Sequence, residues 1–462
     1  MNKFVFCSLS LIAGAAAHLG ATEVSSDLQA KIANNGASKV IITFKDKTNR
    51  GKLKFKGSSA EVKRTLSANY KASSAKIKSL FSSNSKQGGG QVVADLPYAN
   101  AMVANVSNAT LRDLANNPDI AQITLDREIM FEETPANSDI NMNASEDWTY
   151  GLKKVGVDKV RAAYNLTGKG IRVGVLDTGI DADHADLKGK VVAWKDWAGT
   201  SATPKDAHGH GTHCAGTIAG GDASGKNIGV APDVELVVGR IFGDSGGATL
   251  SGILGAMNWV TDPDSNADTD DAPQIVSNSW GGRKGSMQSE KAMWNLVKTW
   301  RSLGMVPVFA AGNSGPRAKT VGTPGGYPHS FAVAATDDKD KAAYFSSRGP
   351  ITWEGVEYVK PDIAAPGVNV YSAKPGGGYQ KMSGTSMACP HVAGLAALVL
   401  QANPALTVKQ VEKALTAHSV DLGTDGKDTT YGEGRVDIMA SVEAVKGVSE
   451  KQKENFNAIY GN

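Results

Sequence analysis

Two regimes of hydrophobic patterning divide the chain. Through residues 24–130, short apolar runs flank one long amphipathic stretch. Residues 39–44 (KVIITF) predict a strand, and residues 61–81 predict an amphipathic helix that the glycine run 88–90 ends. Residues 91–96 and 99–106 predict two strands around Pro97, residues 110–115 a short helix, and residues 120–125 a last strand. The order strand, helix, strand, strand, helix, strand predicts a small α+β unit of split βαβ, ferredoxin-like form. Residues 131–147 are rich in Glu, Asn and Asp and contain Pro135, which predicts an exposed linker.

From about residue 150 the pattern changes. Apolar runs at 171–176, 234–241, 274–278, 306–310 and 331–335 alternate with helix-like segments, and glycine-rich turns follow most of them. That alternation predicts an α/β fold, a parallel sheet with helices on both faces in three layers. In such sheets reactive residues gather beyond the carboxyl ends of the strands. The small and apolar run 392–400 has the spacing of a packed helix.

Composition narrows the function classes. The 462 residues are 41% hydrophobic and 21% charged, with a net charge of +3 spread along the chain. Nothing there supports nucleic-acid or membrane partners. The lysines between Lys45 and Lys86 alternate with serine and apolar residues, the pattern of a solvated face. Residues 1–21 start with Asn2-Lys3, continue apolar through Ala17 and end in small residues, the pattern of a cleaved secretory signal. Cleavage after Ala17 or Ala21 fits, and Cys7 leaves with the signal. Cys214 and Cys389 then remain, too few for a disulfide framework and best read as two small buried thiols.

Candidate chemistry gathers in three segments. Ser386 follows Gly384-Thr385 at the start of the predicted buried helix. Its N–H points outward at the positive end of the helix dipole, where a developing oxyanion is stabilised. A serine hydroxyl needs a base and a group that orients the base. His210, in His208-Gly-His-Gly-Thr-His213, offers the base, and Asp177, ending the strand 171–176 before Thr178-Gly179, offers the orienting carboxylate. A metal-dependent hydrolase built on His208, His210 and His213 is a second reading. It is disfavoured because only Gly and Thr lie between those histidines, with no carboxylate base. An esterase elbow is disfavoured by Ala388 where a glycine is required and by the order Asp, His, Ser. A third reading, a non-catalytic secreted inhibitor acting through residues 24–130, sits poorly with an intact Asp-His-Ser set.

Three motifs in this order, Val175-Leu-Asp-Thr-Gly179, His210-Gly-Thr-His-Cys-Ala-Gly216 and Gly384-Thr-Ser-Met-Ala388, resemble those of the subtilisin-like serine proteases. The resemblance covers roughly residues 150–445 and includes the closing Tyr431-Gly-Glu-Gly-Arg-Val-Asp437. It implies a secreted endopeptidase cleaving protein or peptide substrates through Asp177, His210 and Ser386. It implies that Asn313, in Ala310-Ala-Gly-Asn-Ser-Gly315, joins the Ser386 N–H in an oxyanion hole. It also implies two substrate edges, Gly246-Gly247-Ala248 and Ser279-Trp280-Gly281, and a pocket beside Gly312 and Gly322. Those small residues suggest broad specificity. The chain then divides into a signal (1–21), an inhibitory propeptide (22–134) and a peptidase domain (135–462), made as a self-processed, monomeric zymogen. The acidic run Asp262, Asp264, Asn266, Asp268, Asp270 and Asp271 places oxygen ligands at alternate positions and is read as a structural Ca2+ site. The loop 220–227 departs from the Asn-rich calcium loop that many subtilisins carry.

Overall fold

The computed structural model describes residues 22–32, 37–48, 59–83, 90–130, 146–282 and 290–446. The predicted signal, and residues 131–145 of the predicted linker, lie outside the described residues.

The N-terminal unit comprises β1 (Glu23–Val24), α1 (Ser26–Ile32), β2 (Ser38–Phe44), α2 (Ser59–Ser83), β3 (Gly90–Leu96), β4 (Ala101–Val106), α3 (Asn108–Ala115), β5 (Ile120–Leu125) and β6 (Glu128–Met130). Its sheet has the order β1-β5-β2-β4-β3, the split βαβ arrangement with β1 added in parallel beside β5. Strand β2 is apolar at successive positions because both its faces are covered. Val40, Ile42 and Phe44 face the unit's own core, with Tyr70, Ile77 and Phe81 of α2. Ile41, together with Val62 and Leu66 of α2, joins a cluster shared with the second unit.

The second unit runs α4 (Tyr150–Lys154), α5 (Val157–Tyr164), β7 (Arg172–Asp177), β8 (Val191–Asp196), α6 (His210–Ala219), β9 (Glu235–Arg240), β10 (Gly247–Thr249), α7 (Leu250–Trp259) and β11 (Ile275–Asn278). It continues through α8 (Lys291–Ser302), β12 (Val306–Ala310), β13 (Phe331–Thr336), the hairpin β14 (Ile351–Trp353) and β15 (Val356–Tyr358), and β16 (Ile363–Pro366). The hairpin β17 (Val370–Lys374) and β18 (Gly378–Met382) follows, then α9 (Thr385–Ala402), α10 (Val408–Ala417) and α11 (Ile438–Lys446).

Seven parallel strands form its sheet in the order β16-β13-β12-β11-β7-β9-β8. The predicted three-layer α/β architecture is therefore observed. Helices α6 and α9 pack on one face and α7 and α8 on the other. The chain leaves β7 first towards β9 and β8, then returns to its other side at β11 and winds outward. The order reverses at β7, and the crevice beyond the carboxyl ends of β7 and β11 is where such sheets place reactive groups. Asp177 ends β7 there.

Candidate active site

Asp177 is buried, and its Oδ1 accepts hydrogen bonds from its neighbour Thr178 N and from His210 Nδ1, both at 2.7 Å. An ionised carboxylate only accepts, so Nδ1 carries a proton and Nε2 is left as the basic nitrogen.

His210 is the first residue of α6, and two devices hold that helix start against β7. Asp206, buried in the preceding loop, accepts from Gly209 N, Thr212 N, Thr212 Oγ1 and Thr178 Oγ1 at 2.6–3.0 Å. It thereby takes up two backbone donors at the helix start and ties the loop to the strand end. The second device is close backbone contact. A Cβ on Gly211 would stand 2.1 Å from the Gly179 carbonyl oxygen, so only glycine lets the two segments touch.

Ser386 is the second residue of α9 and is buried. Its Oγ donates to the Ser279 carbonyl at 3.0 Å. Its own carbonyl would normally accept from the N–H four residues on, but that residue is Pro390, which has none. The carbonyl is satisfied sideways instead, by Ser279 Oγ at 2.8 Å and Cys214 Sγ at 3.5 Å. Cys214 Sγ also lies 3.8 Å from His210 Nδ1, so one thiol touches both His210 and Ser386. Burial pushes the Cys214 thiol well above its ordinary value and Cys389 up to about 11, so neither is a thiolate near neutrality. Both are free thiols, as read from the sequence.

Asn313 faces Ser386 from the loop after β12. Its Oδ1 accepts from Thr385 N and Thr385 Oγ1, both at 2.9 Å, which turns its amide nitrogen to the opposite side. Ser279, Trp280, Gly281, Gly312, Asn313 and Gly322 line one pocket with Ser386, and among the described residues none that lines it is charged. The Trp280 ring itself packs edge-on against Phe242 and Phe309, so it is a core side chain whose backbone borders the pocket. The second edge is already paired. Gly247, Ala248 and Thr249 lie antiparallel to Met130, Ile129 and Glu128, so β6 of the N-terminal unit occupies it. Gly246 forms the preceding turn with φ +79°.

The histidine cluster does not converge on a metal. His213 Nε2 bonds to the Val370 carbonyl at 2.9 Å, and burial pulls its pKa down to about 3. His210 is committed to Asp177, and no group of metal-competent atoms among the described residues contains two of the three histidines.

The acidic loop differs from its calcium reading. Oxygens of Asp262, Asp264 and Asp271 do lie within 4.8 Å of one another, but a cation of the protein is already among them. Lys63 of α2, fully buried, donates to Asp262 Oδ1 at 2.9 Å and Asp271 Oδ1 at 3.3 Å. Asp262 Oδ2 accepts from Tyr98 OH, Asp271 Oδ2 from Asp264 N, and Asp264 from Asn266 N and Thr269 Oγ1. Asp268 pairs with Arg64, Asn266 Oδ1 accepts from Asp268 N, and the Asp270 carbonyl accepts from Arg172. With α2 docked, these six residues do not fit a calcium ion, which needs six or more oxygens turned inward. The end of the loop at 220–227 and the residues just after it are held by protein groups too. The Arg161 guanidinium donates to Asn227 Oδ1 at 2.8 Å and to the Gly229 and Val230 carbonyls at 3.0 and 3.3 Å.

A serine at a helix start, a buried Asp–His pair linked to it through Cys214 and an adjoining pocket are the arrangement of a serine endopeptidase. The family comparison gives the lineage: the model of the subtilase family matches residues 168–434, and the chain belongs to that family. It is 39% identical to Serine protease AprX of Bacillus subtilis (strain 168) over 310 residues, 61% of this chain and 68% of that protein. It is 36% identical to Subtilisin DY of Bacillus licheniformis over 64% of this chain and 98% of that protein. Against Bacillopeptidase F of Bacillus subtilis (strain 168) it is 32% identical over 75% of this chain, yet spans only 26% of that longer protein.

Proposed function

We propose that the chain is a secreted endopeptidase made as a self-inhibited, self-processed zymogen, acting through Asp177, His210 and Ser386. The observation that carries this reading is the single thiol of Cys214 in contact with both His210 and Ser386, while His210 is hydrogen-bonded to Asp177. In turnover the Ser386 hydroxyl exchanges its Ser279 acceptor for His210 Nε2. Its Oγ attacks the substrate carbonyl as His210 takes the proton, and Asp177 stabilises the imidazolium. The developing oxyanion accepts from Ser386 N–H and the Asn313 amide. His210 then protonates the leaving amine, and water releases the acyl group by the reverse sequence. The uncharged pocket supports broad side-chain acceptance.

The N-terminal unit (22–134) is the inhibitor of the peptidase domain (135–462). This rests on β6 along the substrate edge and on the unit's cover over two helix starts. Asp126 accepts from Ser251 N and Oγ at the start of α7, at 2.8 and 2.7 Å, and Gln122 Oε1 accepts from Lys291 N at the start of α8, at 3.0 Å. Both contacts satisfy orphan donors, and the Asp126 carboxylate also complements the dipole of α7. Self-cleavage falls within about residues 130–144, and the mature enzyme works as an extracellular monomer. Structural Ca2+ at the acidic loop is confined to a chain that α2 has left.

Expressing the chain with and without Ser386→Ala tests the reading. The wild type should mature to a shorter form that reacts with a fluorophosphonate; the variant should stay full length and unlabelled. Maturation or labelling of the variant would overturn it.

A further inference from the structure

The acidic loop has a counterpart on the N-terminal unit that the calcium reading overlooked. The Lys63 side chain has no exposed surface, and the Asp262 side chain keeps 5% of its own. Lys63 Nζ meets Asp262 Oδ1 at 2.9 Å, Asp271 Oδ1 at 3.3 Å and the Thr269 carbonyl at 3.4 Å, so all three of its protons have acceptors. The other oxygen of Asp262 accepts from Tyr98 OH at 2.7 Å. Tyr98 is anchored in turn: its backbone N–H donates to Asn258 Oδ1 at 2.9 Å, and its carbonyl accepts from Thr299 Oγ1 at 3.0 Å. One carboxylate of the peptidase domain thus receives a charged donor and a neutral donor from two separate elements of the N-terminal unit.

We propose that Asp262 and Asp271 form a lysine lock for the N-terminal unit, and that this buried Lys63 contact sets how long the cut unit stays bound. The proposal rests on the zymogen reading above. The contact lies in α2 and the turn after β3, well before 131–145 in sequence, so a cut in the linker leaves it whole. A buried, hydrogen-bonded charge pair acts mainly on the rate of dissociation, because pulling it apart strands a carboxylate before water reaches it. The neighbouring Arg64–Asp268 pair is exposed on both sides and contributes little.

The test follows self-processing of the full chain as wild type, Lys63→Met, Asp262→Asn, Asp271→Asn and Arg64→Met. Two readouts are needed: how long the cleaved N-terminal fragment co-elutes with the mature domain, and the lag between cleavage and peptidase activity. Lys63→Met and Asp262→Asn should cut at the wild-type rate, lose the fragment about 30-fold faster or more, and show almost no lag. Asp271→Asn should fall between, and Arg64→Met should match wild type. The double variant Lys63→Met/Asp262→Asn leaves no fully buried charge unpaired, only the partly exposed Asp271, so it keeps the test open should a single variant not fold. Fragment retention and lag equal to wild type in Lys63→Met and Asp262→Asn, or in the double variant, overturn the lock. A wild-type chain that is fully active before any cut would instead overturn the zymogen reading, a different and separately visible result.

Discussion

Replacing Gly211 with alanine should disable the base while leaving substrate binding intact. The added Cβ would stand 2.1 Å from the Gly179 carbonyl oxygen and 2.9 Å from its nitrogen, whereas ordinary contact begins near 3.4 Å. The 177–180 segment cannot retreat, because a Cβ on Gly179 would itself lie 1.9 Å from the Lys205 carbonyl oxygen, and Ile180 N already bonds that oxygen at 3.2 Å. The displacement therefore falls on α6, by roughly 1 Å, and His210 is its first residue. A shift of about 1 Å at a catalytic group costs on the order of 100-fold in rate. Helix propensity works in the opposite direction, since alanine is favoured over glycine by about 1 kcal/mol in a helix interior. The measurements are kcat and KM on a chromogenic peptide, the fluorophosphonate labelling rate and a thermal melt. Both kcat and the labelling rate should fall by about 100-fold, with KM within about threefold because the pocket comes from other loops. A variant that is folded and within about threefold of wild type in kcat would refute the close-contact argument.

Two further outcomes concern stability. Burial pulls His213 and His391 down to about 3 and about 4, from an ordinary value of 6.5. Both are depressed in the folded state, so below about pH 6.5 the unfolded chain binds more protons. Stability is whole above that pH and falls as pH drops towards the folded values, by up to roughly 1.4 kcal/mol per pH unit for each histidine. Urea melts of the Ser386→Ala chain across this window should show the slope, and His391→Gln should flatten it; equal stability throughout would contradict the assignment. Chelation should leave the melting temperature of the same uncut chain unchanged within about 1 °C, because Lys63, Arg64, Tyr98 and loop N–H groups hold the acidic carboxylates. A drop of several degrees would reveal a bound metal.

Legibility varied with how local each feature is. Strands β5 and β12 match their predicted limits because sharp turns bound both runs. Strands β8 and β16 escaped notice. The first is a half-exposed sheet edge ending in Lys195-Asp196, and the second is four residues long and ends in Pro366. Strand β1 and the hairpin β14–β15 have only two or three residues per strand, α1 is a seven-residue helix, and β18 is half-buried throughout, so none carries a pattern that stands out. Asp177, His210 and Ser386 are visible because each lies beside or within two residues of a glycine that punctuates an element, whereas Asn313 is legible only through the family resemblance. Asp206 was not, although a carboxylate four residues before His210 was the available signal; its role exists only once β7 and α6 are side by side. The acidic loop was conspicuous by composition, but its partner lies 199 residues earlier, and no local pattern announces a pairing of that range.

Pro390 has one more consequence. By opening the ladder of α9 at the Ser386 carbonyl, it fastens the first turn of that helix to Ser279, beyond β11, and to Cys214 on α6. Ser386 takes its position from the sheet and a neighbouring helix rather than from the helix that carries it. The first turn of α9 therefore does not fray as a helix end usually does, because loosening it breaks contacts on two other elements at once. Exposure of Ser386 by local opening is thereby merged into a larger cooperative unfolding event, which makes the candidate active site one of the rigid parts of the molecule.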